Sequence, residues 1–357
     1  MHVFFDVQHL YYMPQYEPVI TELTQLDCQV TCVFYQHDDA LLIAHAQRLS
    51  KEYGFELHWL QQTSDALRFY QHSDADWIIF GNAFAQCEAL NQTKKTALMQ
   101  HGIGPKQCYY DVSENVTTAR FVEGAYRKQR LDTLFPSGNF IDTGYAKLDP
   151  ILREGYRAIT PSNYGLDNDK PTLLYAPTFY PSSIEKFSIK FAQEFSDYNI
   201  IIKPHFFSLT KKSYRKHQKI MQHWAKSDNV YLASVDEVNL VPFLCVADVL
   251  LSDASSAIFE FAALDKPVIW CDFYQLRWSY RGPFAYRFKA RLDDDIAYFH
   301  SMCYRAGSYY DIHAQLLLAQ VEAPEFKRQR ADIVTKLAGN LDGFASRRIA
   351  HYLLENK

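Results

Sequence analysis

Short hydrophobic runs and longer amphipathic segments alternate along the chain. The short runs are rich in β-branched and aromatic residues, which predicts strands, and the segments between them predict helices. In the first half of the chain we predict a helix at residues 16–26 and strands at residues 3–7, 29–35, 77–80, 97–100 and 140–143. Strands that alternate with helices in this way are typical of parallel β-α units.

The same pattern restarts after a polar, turn-rich segment at residues 161–171. Beyond this linker we predict strands at residues 172–176, 199–202, 230–232, 249–252 and 268–270, and a helical stretch over residues 325–354. A chain of 357 residues is longer than one compact core usually accommodates. We therefore predict an α/β fold of two Rossmann-like parallel-sheet domains, residues 1–160 and 161–330, with their ligand-binding edges facing a central cleft. Residues 331–357 are predicted to pack back toward the first domain.

The composition narrows the class of protein. Hydrophobic residues make up 48% of the chain and charged residues 22%, as in ordinary soluble domains. A net charge of −4 argues against a generally basic nucleic-acid-binding surface. We find neither an apolar run of the roughly 18 residues that a membrane span needs nor a secretory signal, so we expect a cytoplasmic location. The seven cysteines are scattered and never spaced as C-x-x-C, which predicts reduced, mostly buried thiols.

The most informative stretch covers residues 249–270, which read as strand, turn, helix and strand. The turn carries Ser252, Asp253, Ser255 and Ser256. The first backbone N–H groups of a helix have no partner inside the helix, so hydroxyls at such a start predict a site for phosphate or pyrophosphate. An N-cap at Asp253 or Ser255 explains the same residue types without any ligand, and this segment alone does not decide between the two.

Two histidines follow other predicted strands. His101 leaves a strand in a loop that glycine and proline keep non-helical, where an imidazole can act as a general base at neutral pH. His205 and Lys203 end the Ile-Ile-Lys-Pro-His segment, where both can meet phosphate oxygens. Thr178 presents a hydroxyl after the strand that Pro177 ends. Each of these residues also has a purely structural interpretation.

Two further clusters have simpler explanations. The run 293–295 of three aspartates resembles a metal-binding pair of carboxylates, but it opens a predicted helix, where acidic residues are common. The basic run at residues 211–219 is typical of a solvated helix face, and a patch attracted to anionic lipid is the alternative. The motifs of dinucleotide-dependent redox enzymes, P-loop hydrolases and α/β-hydrolases do not occur in the chain.

Taken in order, these segments resemble the CDP-glycerol glycerophosphotransferase family, which contains the teichoic acid primases and polymerases. The resemblance spans about residues 97–285, and its strength lies in the ordered set. The segments that carry it are Gln100-His101-Gly102 with Pro105-Lys106, Gly144 to Asp149, Tyr175-Ala176-Pro177-Thr178, Lys203-Pro204-His205, Ser252 to Ser256 with Lys266-Pro267-Val268, and Arg281-Gly282.

The resemblance implies a GT-B fold and a transferase that needs no metal or other cofactor. Its donor would be CDP-glycerol or a related CDP-alditol, its acceptor a hydroxyl of a cell-surface glycan or glycolipid, and its leaving group CMP. We expect catalytic roles for His101, as general base, and His205. The donor-binding residues that we expect are Lys203, Thr178, Ser252, Asp253, Ser255, Ser256 and, for the ribose, Glu260. Peripheral association with the inner membrane surface is a further expectation.

The chain also departs from the family pattern. Many members carry an aromatic residue and then arginine after Ala-Pro-Thr, whereas this chain has Phe179-Tyr180, so one expected cation is absent. The first hundred residues match no motif of the family, which leaves the acceptor open. The alternative functions are a GT-B glycosyltransferase or sugar-nucleotide epimerase, and a non-catalytic scaffold or lipid-surface binding protein that keeps the fold.

Overall fold

The computed structural model describes residues 1–36, 39–104, 106–153, 159–286 and 293–357. The chain divides into two compact units. The first comprises Met1–Ile103, Cys108–Gly155 and Lys336–Lys357, and the second comprises Gly104–Gln107 and Tyr156–Thr335. The first unit is therefore built from three separate stretches of sequence.

A parallel sheet of seven strands forms the centre of the first unit, in the order β3-β2-β1-β4-β5-β6-β7. The order reverses direction between β1 and β4, and ligands of open α/β sheets bind at the carboxyl ends of the strands that flank such a point. The strands are β1 (His2–Val7), β2 (Gln29–Tyr35), β3 (Glu56–Leu60), β4 (Trp77–Phe80), β5 (Lys95–Met99), β6 (Ala119–Val122) and β7 (Phe140–Asp142).

Helices surround this sheet, and the last of them is fixed by two distant side chains. The Trp77 indole donates to the carbonyl of Leu353 at 3.1 Å. The buried Asp149 carboxylate accepts from the N–H of Ser346 at 2.7 Å and so holds the start of that last helix. The helices wholly within this unit are Met13–Gln25, Ala40–Tyr53, Ala66–His72, Cys87–Asn91, Cys108–Asp111, Ala125–Leu134, Asp149–Leu152 and Ala345–Glu355.

The second unit has a parallel sheet of six strands in the order β10-β9-β8-β11-β12-β13. Its direction reverses between β8 and β11, and the central strands are buried apolar runs, as expected of a sheet covered on both faces. The strands are β8 (Thr172–Ala176), β9 (Asn199–Ile202), β10 (Val230–Leu232), β11 (Val249–Ser252), β12 (Val268–Cys271) and β13 (Tyr304–Ala306).

The helices of the second unit pack on this sheet around Trp224 and a group of phenylalanines. One helix, Pro324–Ala338, contains the point after Thr335 at which the chain passes from the second unit to the first. The other helices are Phe191–Glu194, Phe206–Thr210, Arg215–Trp224, Val241–Val246, Ser256–Ala262, Phe299–Met302 and Ile312–Gln320.

The segment at residues 161–171, predicted as a linker, is an ordered part of the second unit. It begins with a short 3-10 helix, Pro161–Tyr164, whose Thr160 cap exchanges hydrogen bonds with Asn163. Asn199 then ties the segment to the sheet, because its side chain donates to the carbonyl of Asp167 at 2.6 Å. The polar residues that suggested a linker therefore form hydrogen bonds with the backbone of this turn.

Candidate active site

In the first unit, His101 lies just beyond the end of β5 and is half-buried. Its Nδ1 is 2.8 Å from the carbonyl oxygen of Gly81, which follows β4. A carbonyl oxygen only accepts hydrogen bonds, so this contact, shorter than the 3.3 Å from Nδ1 to the Gln100 amide nitrogen, favours the tautomer with the proton on Nδ1 and the lone pair on Nε2. A general base needs this tautomer.

Tyrosines surround the His101 ring. Tyr12 stacks on it with the ring centroids 4.7 Å apart, and Tyr11 meets it edge-on at 5.3 Å. A side chain at Gly81 would not fit, because an added Cβ would lie 2.7 Å from the ring of Tyr12. Tyr11 and Tyr12 come from the part of the chain without a recognised motif, so sequence reasoning missed them. Gly81, directly after a buried strand, was the available signal.

A buried carboxylate lies at the end of β1 in the same unit. Asp6 accepts hydrogen bonds from the hydroxyls of Tyr35 at 2.5 Å and Tyr70 at 2.7 Å, and the hydroxyl of Tyr16 donates to its backbone carbonyl. Burial raises the pKa of Asp6 to about 6, and the tyrosine hydrogen bonds oppose that rise. Tyr16 also packs against Tyr12, which links Asp6 to the surroundings of His101.

The raised pKa of Asp6 predicts a pH-dependent stability. The folded state binds a proton more tightly than the unfolded chain, so the contribution of Asp6 is greatest below about pH 4 and is lost as the pH rises through about 6. Asparagine at position 6 cannot ionise. As the pH rises from 4 to 7.5, we therefore expect the free energy of unfolding of Asp6→Asn to increase by up to about 3 kcal/mol relative to that of the wild type. Urea unfolding at both pH values measures this gain. Asp27→Asn, at an exposed position of the same unit, is the control, and an equal pH dependence in all three proteins would contradict the prediction.

In the second unit, the candidate donor-binding residues follow β9, β8 and β11, which are neighbours in the sheet. Asp253 connects two of these strand ends. Its carboxylate accepts from the N–H of Thr178 at 2.9 Å, and from the N–H and hydroxyl of Ser183 at 3.1 and 2.5 Å. Burial raises the pKa of Asp253 to about 7, against the opposing effect of these hydrogen bonds. Asp253 thus sets the conformation of the loop that follows β8.

Several residues that we expected to touch the donor are buried or make hydrogen bonds inside the protein. Ser252, Asp253 and Glu260 have no exposed surface. The hydroxyl of Ser252 donates to the carbonyl of Ala176 at 2.7 Å, and the hydroxyl of Thr178 donates to the carbonyl of Pro181. The side chains of Ser252, Thr178 and Asp253 therefore join strand ends, and contact with a nucleotide stays a prediction for them and for Glu260.

Ser255 and Ser256 are the half-exposed hydroxyls of the turn. Ser255 caps the helix Ser256–Ala262, because its side-chain oxygen accepts from the N–H of Ala257 at 3.3 Å. The capping interpretation that the sequence left open is thus realised at Ser255. A hydroxyl that accepts one hydrogen bond can still donate its own proton, so capping does not exclude contact with an anion.

His205 has the opposite tautomer to His101. Its Nδ1 accepts from the N–H of Phe207 at 3.1 Å, so the proton of the neutral ring is on Nε2. The ring is half-buried against Phe179, with the centroids 4.7 Å apart. Lys203, 8% exposed, lies just after β9 and two residues before His205. A ring that donates from Nε2 is suited to a phosphate oxygen, as His101 is suited to accept a proton.

The structure shows His205 as a helix cap, and a second role as a hydrogen-bond donor to a phosphate stays a prediction. Removing the cap alone costs about 1 kcal/mol. We expect His205→Ala to lower both stability and transferase turnover, and His205→Asn to restore the cap but not the turnover, which stays about 10²-fold or more below wild type. Thermal unfolding and nucleotide release measure the two effects. Recovery of turnover in His205→Asn would show that the ring serves only as a cap.

Lys266 and Asp149, which also belong to the resemblance, lie away from these strand ends. Lys266 precedes β12 and so lies at the amino ends of the strands. Its ammonium donates there to the carbonyls of Cys245 and Ala247, both at 2.7 Å. Burial lowers the pKa of this lysine. Asp149, described above, holds the last helix of the first unit. Of the loop that follows His101, Pro105 lies outside the described residues.

The two ambiguous clusters are both associated with helices. Asp293 caps the 3-10 helix Asp294–Tyr298 by accepting from the N–H of Asp295 at 3.0 Å. No group of three or more potential metal ligands occurs among the described residues. In the basic run, the helix Arg215–Trp224 buries His217, Met221 and Trp224 and exposes its lysines to solvent. Within the described ranges, no helix is long and apolar enough to cross a bilayer.

Comparison with solved structures identifies the class of fold. A structure of the wall teichoic acid polymerase TagF matches with a TM-score of 0.70 at 11% identity, over 100% of this chain and 88% of that chain. A UDP-GlcNAc 2-epimerase from Neisseria meningitidis bound to UDP-GlcNAc matches with a TM-score of 0.65 at 15% identity, over 99% and 100% of the two chains. The protein thus has the predicted GT-B fold of two parallel-sheet α/β units.

Sequence comparison then gives the family. The chain belongs to the CDP-Glycerol:Poly(glycerophosphate) glycerophosphotransferase family, whose model matches residues 64–286. A teichoic acid glycerol-phosphate primase of Bacillus spizizenii is 32% identical over 116 residues, which are 30% of this chain and 27% of the relative. A teichoic acid poly(ribitol-phosphate) polymerase of the same organism is 31% identical over 145 residues, 37% of this chain and 22% of the relative. These matches span about a quarter of each relative.

Proposed function

We propose that the protein transfers glycerol phosphate, or a related alditol phosphate, from a CDP-alditol to a hydroxyl of a cell-surface glycan or glycolipid and releases CMP. Membership of the glycerophosphotransferase family and the names of the relatives support this proposal. A TagF variant soaked with CDPG is also among the structural matches, with a TM-score of 0.67 at 13% identity, over 99% of this chain and 88% of that chain. That likeness supports the fold, and the donor is carried over as part of the proposal.

The hydrogen bonds at Nδ1 of His101 and of His205, which favour opposite tautomers, are the observation that best supports this chemistry. The acceptor oxygen attacks the phosphorus that bears the alditol, and its proton passes to Nε2 of His101. The bond from that phosphorus to the bridging oxygen of CMP breaks, and CMP leaves with the electron pair. We assign the stabilisation of the leaving phosphate to the Nε2–H of His205 and to Lys203. The product is a phosphodiester.

Positioning and charge stabilisation contribute most to such phosphoryl transfers, because the protein forms no covalent bond itself. The buried Asp253 fits this requirement, since it fixes the loop after β8 relative to the end of β11. Ser255 and Ser256 are proposed to donate to the diphosphate. The location remains part of the proposal: action at the cytoplasmic face of the membrane, with the exposed lysines of the basic run facing anionic lipid.

One assay separates this function from its alternatives. The purified protein is incubated with CDP-glycerol, CDP-ribitol or UDP-GlcNAc, each with and without a glycolipid acceptor, and the released nucleotide and the product are identified. CMP release together with a new phosphodiester is the expected result. UDP release or epimerised UDP-GlcNAc would support a sugar-nucleotide enzyme. Unchanged substrates in the presence of bound nucleotide would support a non-catalytic role.

A further inference from the structure

Arg277 lies against the residue that replaces an expected cation. The resemblance places an arginine at position 180, where this chain has Tyr180. The guanidinium carbon of Arg277 is 4.4 Å from the centre of the Tyr180 ring, and the backbone N–H of Arg277 donates to the Tyr180 hydroxyl at 3.0 Å. The positive charge missing from position 180 is thus present beside it, supplied by the loop after β12.

The position of Arg277 is fixed by the same network that Asp253 organises. Asp253 holds Ser183, and the neighbouring Ser182 forms an antiparallel bridge with Gln275, whose N–H donates to the Ser182 carbonyl at 3.0 Å. Gln275 is two residues before Arg277. The loops after β8, β11 and β12 are therefore joined at the carboxyl ends of these strands, and Arg277 lies in the last of these loops.

Aromatic contacts connect Arg277 to His205. One guanidinium nitrogen donates to the hydroxyl of Tyr214 at 3.1 Å. The Tyr214 ring lies 5.9 Å from the ring of Phe179, which packs on His205 at 4.7 Å. Arg277 and His205 thus lie at two ends of one aromatic group: Tyr180, Tyr214 and Phe179.

The charge of Arg277 has no acidic partner among the residues that the structure describes. Arg277 is exposed, and its hydrogen-bond acceptors among the described residues are the neutral hydroxyls of Tyr180 and Tyr214. The nearby Glu185 pairs with Lys216 and His217 instead. An arginine that is held in place by aromatic rings and lacks an acidic partner is suited to bind an anion, since its planar fork matches two phosphate oxygens.

We propose that Arg277 contacts the diphosphate of the donor, in place of the arginine expected at position 180. This inference rests on the proposed function for the identity of the donor, but not for the class of ligand, which is a diphosphate. The proposal also explains why the chain can carry tyrosine at position 180. The Tyr180 ring orients the guanidinium of Arg277, which comes from the loop after β12.

Isothermal titration with CDP-glycerol, CDP and inorganic pyrophosphate tests the proposal. We expect Arg277→Ala to raise the Kd for each ligand 10-fold to 100-fold and to raise KM more than it lowers kcat. Arg277→Lys keeps the charge but loses the planar stack, so an intermediate Kd is expected. Arg328→Ala removes the same charge from an exposed position that pairs only with Glu325, and is the control. Thermal unfolding of all variants confirms that they fold.

An exchange variant makes the test specific. In the double variant Tyr180→Arg with Arg277→Tyr, the cation and the ring change places, and binding within about fivefold of wild type is expected. A folded Arg277→Ala protein that binds pyrophosphate and CDP as tightly as wild type would overturn the proposal. If the wild type binds pyrophosphate through Arg277 but not CDP-glycerol, the proposed donor is wrong and the role of Arg277 stands. If the wild type binds none of the three ligands, both proposals fail.

Discussion

Replacing His101 with alanine is expected to lower the rate of CMP release about 10²-fold to 10⁴-fold, with little change in the Kd of the donor. The reason lies in the hydrogen bond from its Nδ1–H to the Gly81 carbonyl, which leaves the basic nitrogen at Nε2. Alanine removes the group that accepts the proton but none of the proposed donor contacts. Single-turnover rates with saturating CDP-glycerol, together with titration of the donor, separate the two quantities.

The control for this prediction is His72→Ala, which removes an exposed histidine from a helix of the same unit. The pH profile gives a second reading. Protonation of a general base at acidic pH lowers the rate. The rate of His101→Ala should therefore not show this decrease at acidic pH. Near-wild-type CMP release from a folded His101→Ala protein would remove His101 from the mechanism.

Replacing Asp253 with alanine is expected to lower the free energy of unfolding by about 3 kcal/mol or more and to abolish measurable donor binding. The substitution leaves the N–H groups of Thr178 and Ser183 buried without their acceptor, and each such group costs about 1–3 kcal/mol. The loops after β8 and β11 then lose their shared anchor. Urea unfolding gives the stability, and titration with CDP-glycerol gives the binding.

Asp248 provides a control at the amino ends of the strands of the same sheet. Its carboxylate accepts from the N–H of Thr172, the first residue of β8, at 2.7 Å. Asp248 is exposed and accepts this one backbone hydrogen bond, so Asp248→Ala should destabilise the unit less than Asp253→Ala and leave donor binding unchanged when measured well below the unfolding temperature. Equal loss of binding in the two variants would mean that general destabilisation, and not the anchoring of the loops, explains the effect of Asp253→Ala.

The strands of both sheets could largely be predicted from the sequence, because strands buried on both faces are continuous apolar runs. The segments 29–35 and 249–252 were predicted at the bounds that the structure has. The strands that were missed carry charges or lie at an edge. β6 contains the buried Arg120, whose guanidinium donates to the Tyr109 carbonyl at 2.6 Å, and β13 has only three residues.

The candidate site was predicted less completely, because its residue types do not reveal which side chains face solvent. Ser252 and Asp253 lie in the expected turn, but their partners, Ala176 and Ser183, belong to another loop. Hydrogen bonds between loops depend on tertiary structure and leave no local pattern. Arg277 was missed for the same reason, since nothing near it in sequence indicates Tyr180.

The C-terminal helix also differs between prediction and structure, and the difference has a local cause. The helical pattern predicted over residues 325–354 is interrupted after Ala338 and resumes at Ala345. Gly339 has a φ of +71°, and an added Cβ there would lie 1.6 Å from the carbonyl oxygen of Glu123. A left-handed glycine after a helix is a common stop signal that the prediction did not use.

The three-part composition of the first unit has a consequence for biosynthesis. Residues 336–357 are translated only after the entire second unit, yet they supply partners for Trp77 and Asp149. On the ribosome, the second unit can fold from one nearly continuous segment while the earlier one still lacks a helix. A nascent chain that stalls before that helix emerges would therefore expose an unfinished apolar surface, and chaperone binding should concentrate there.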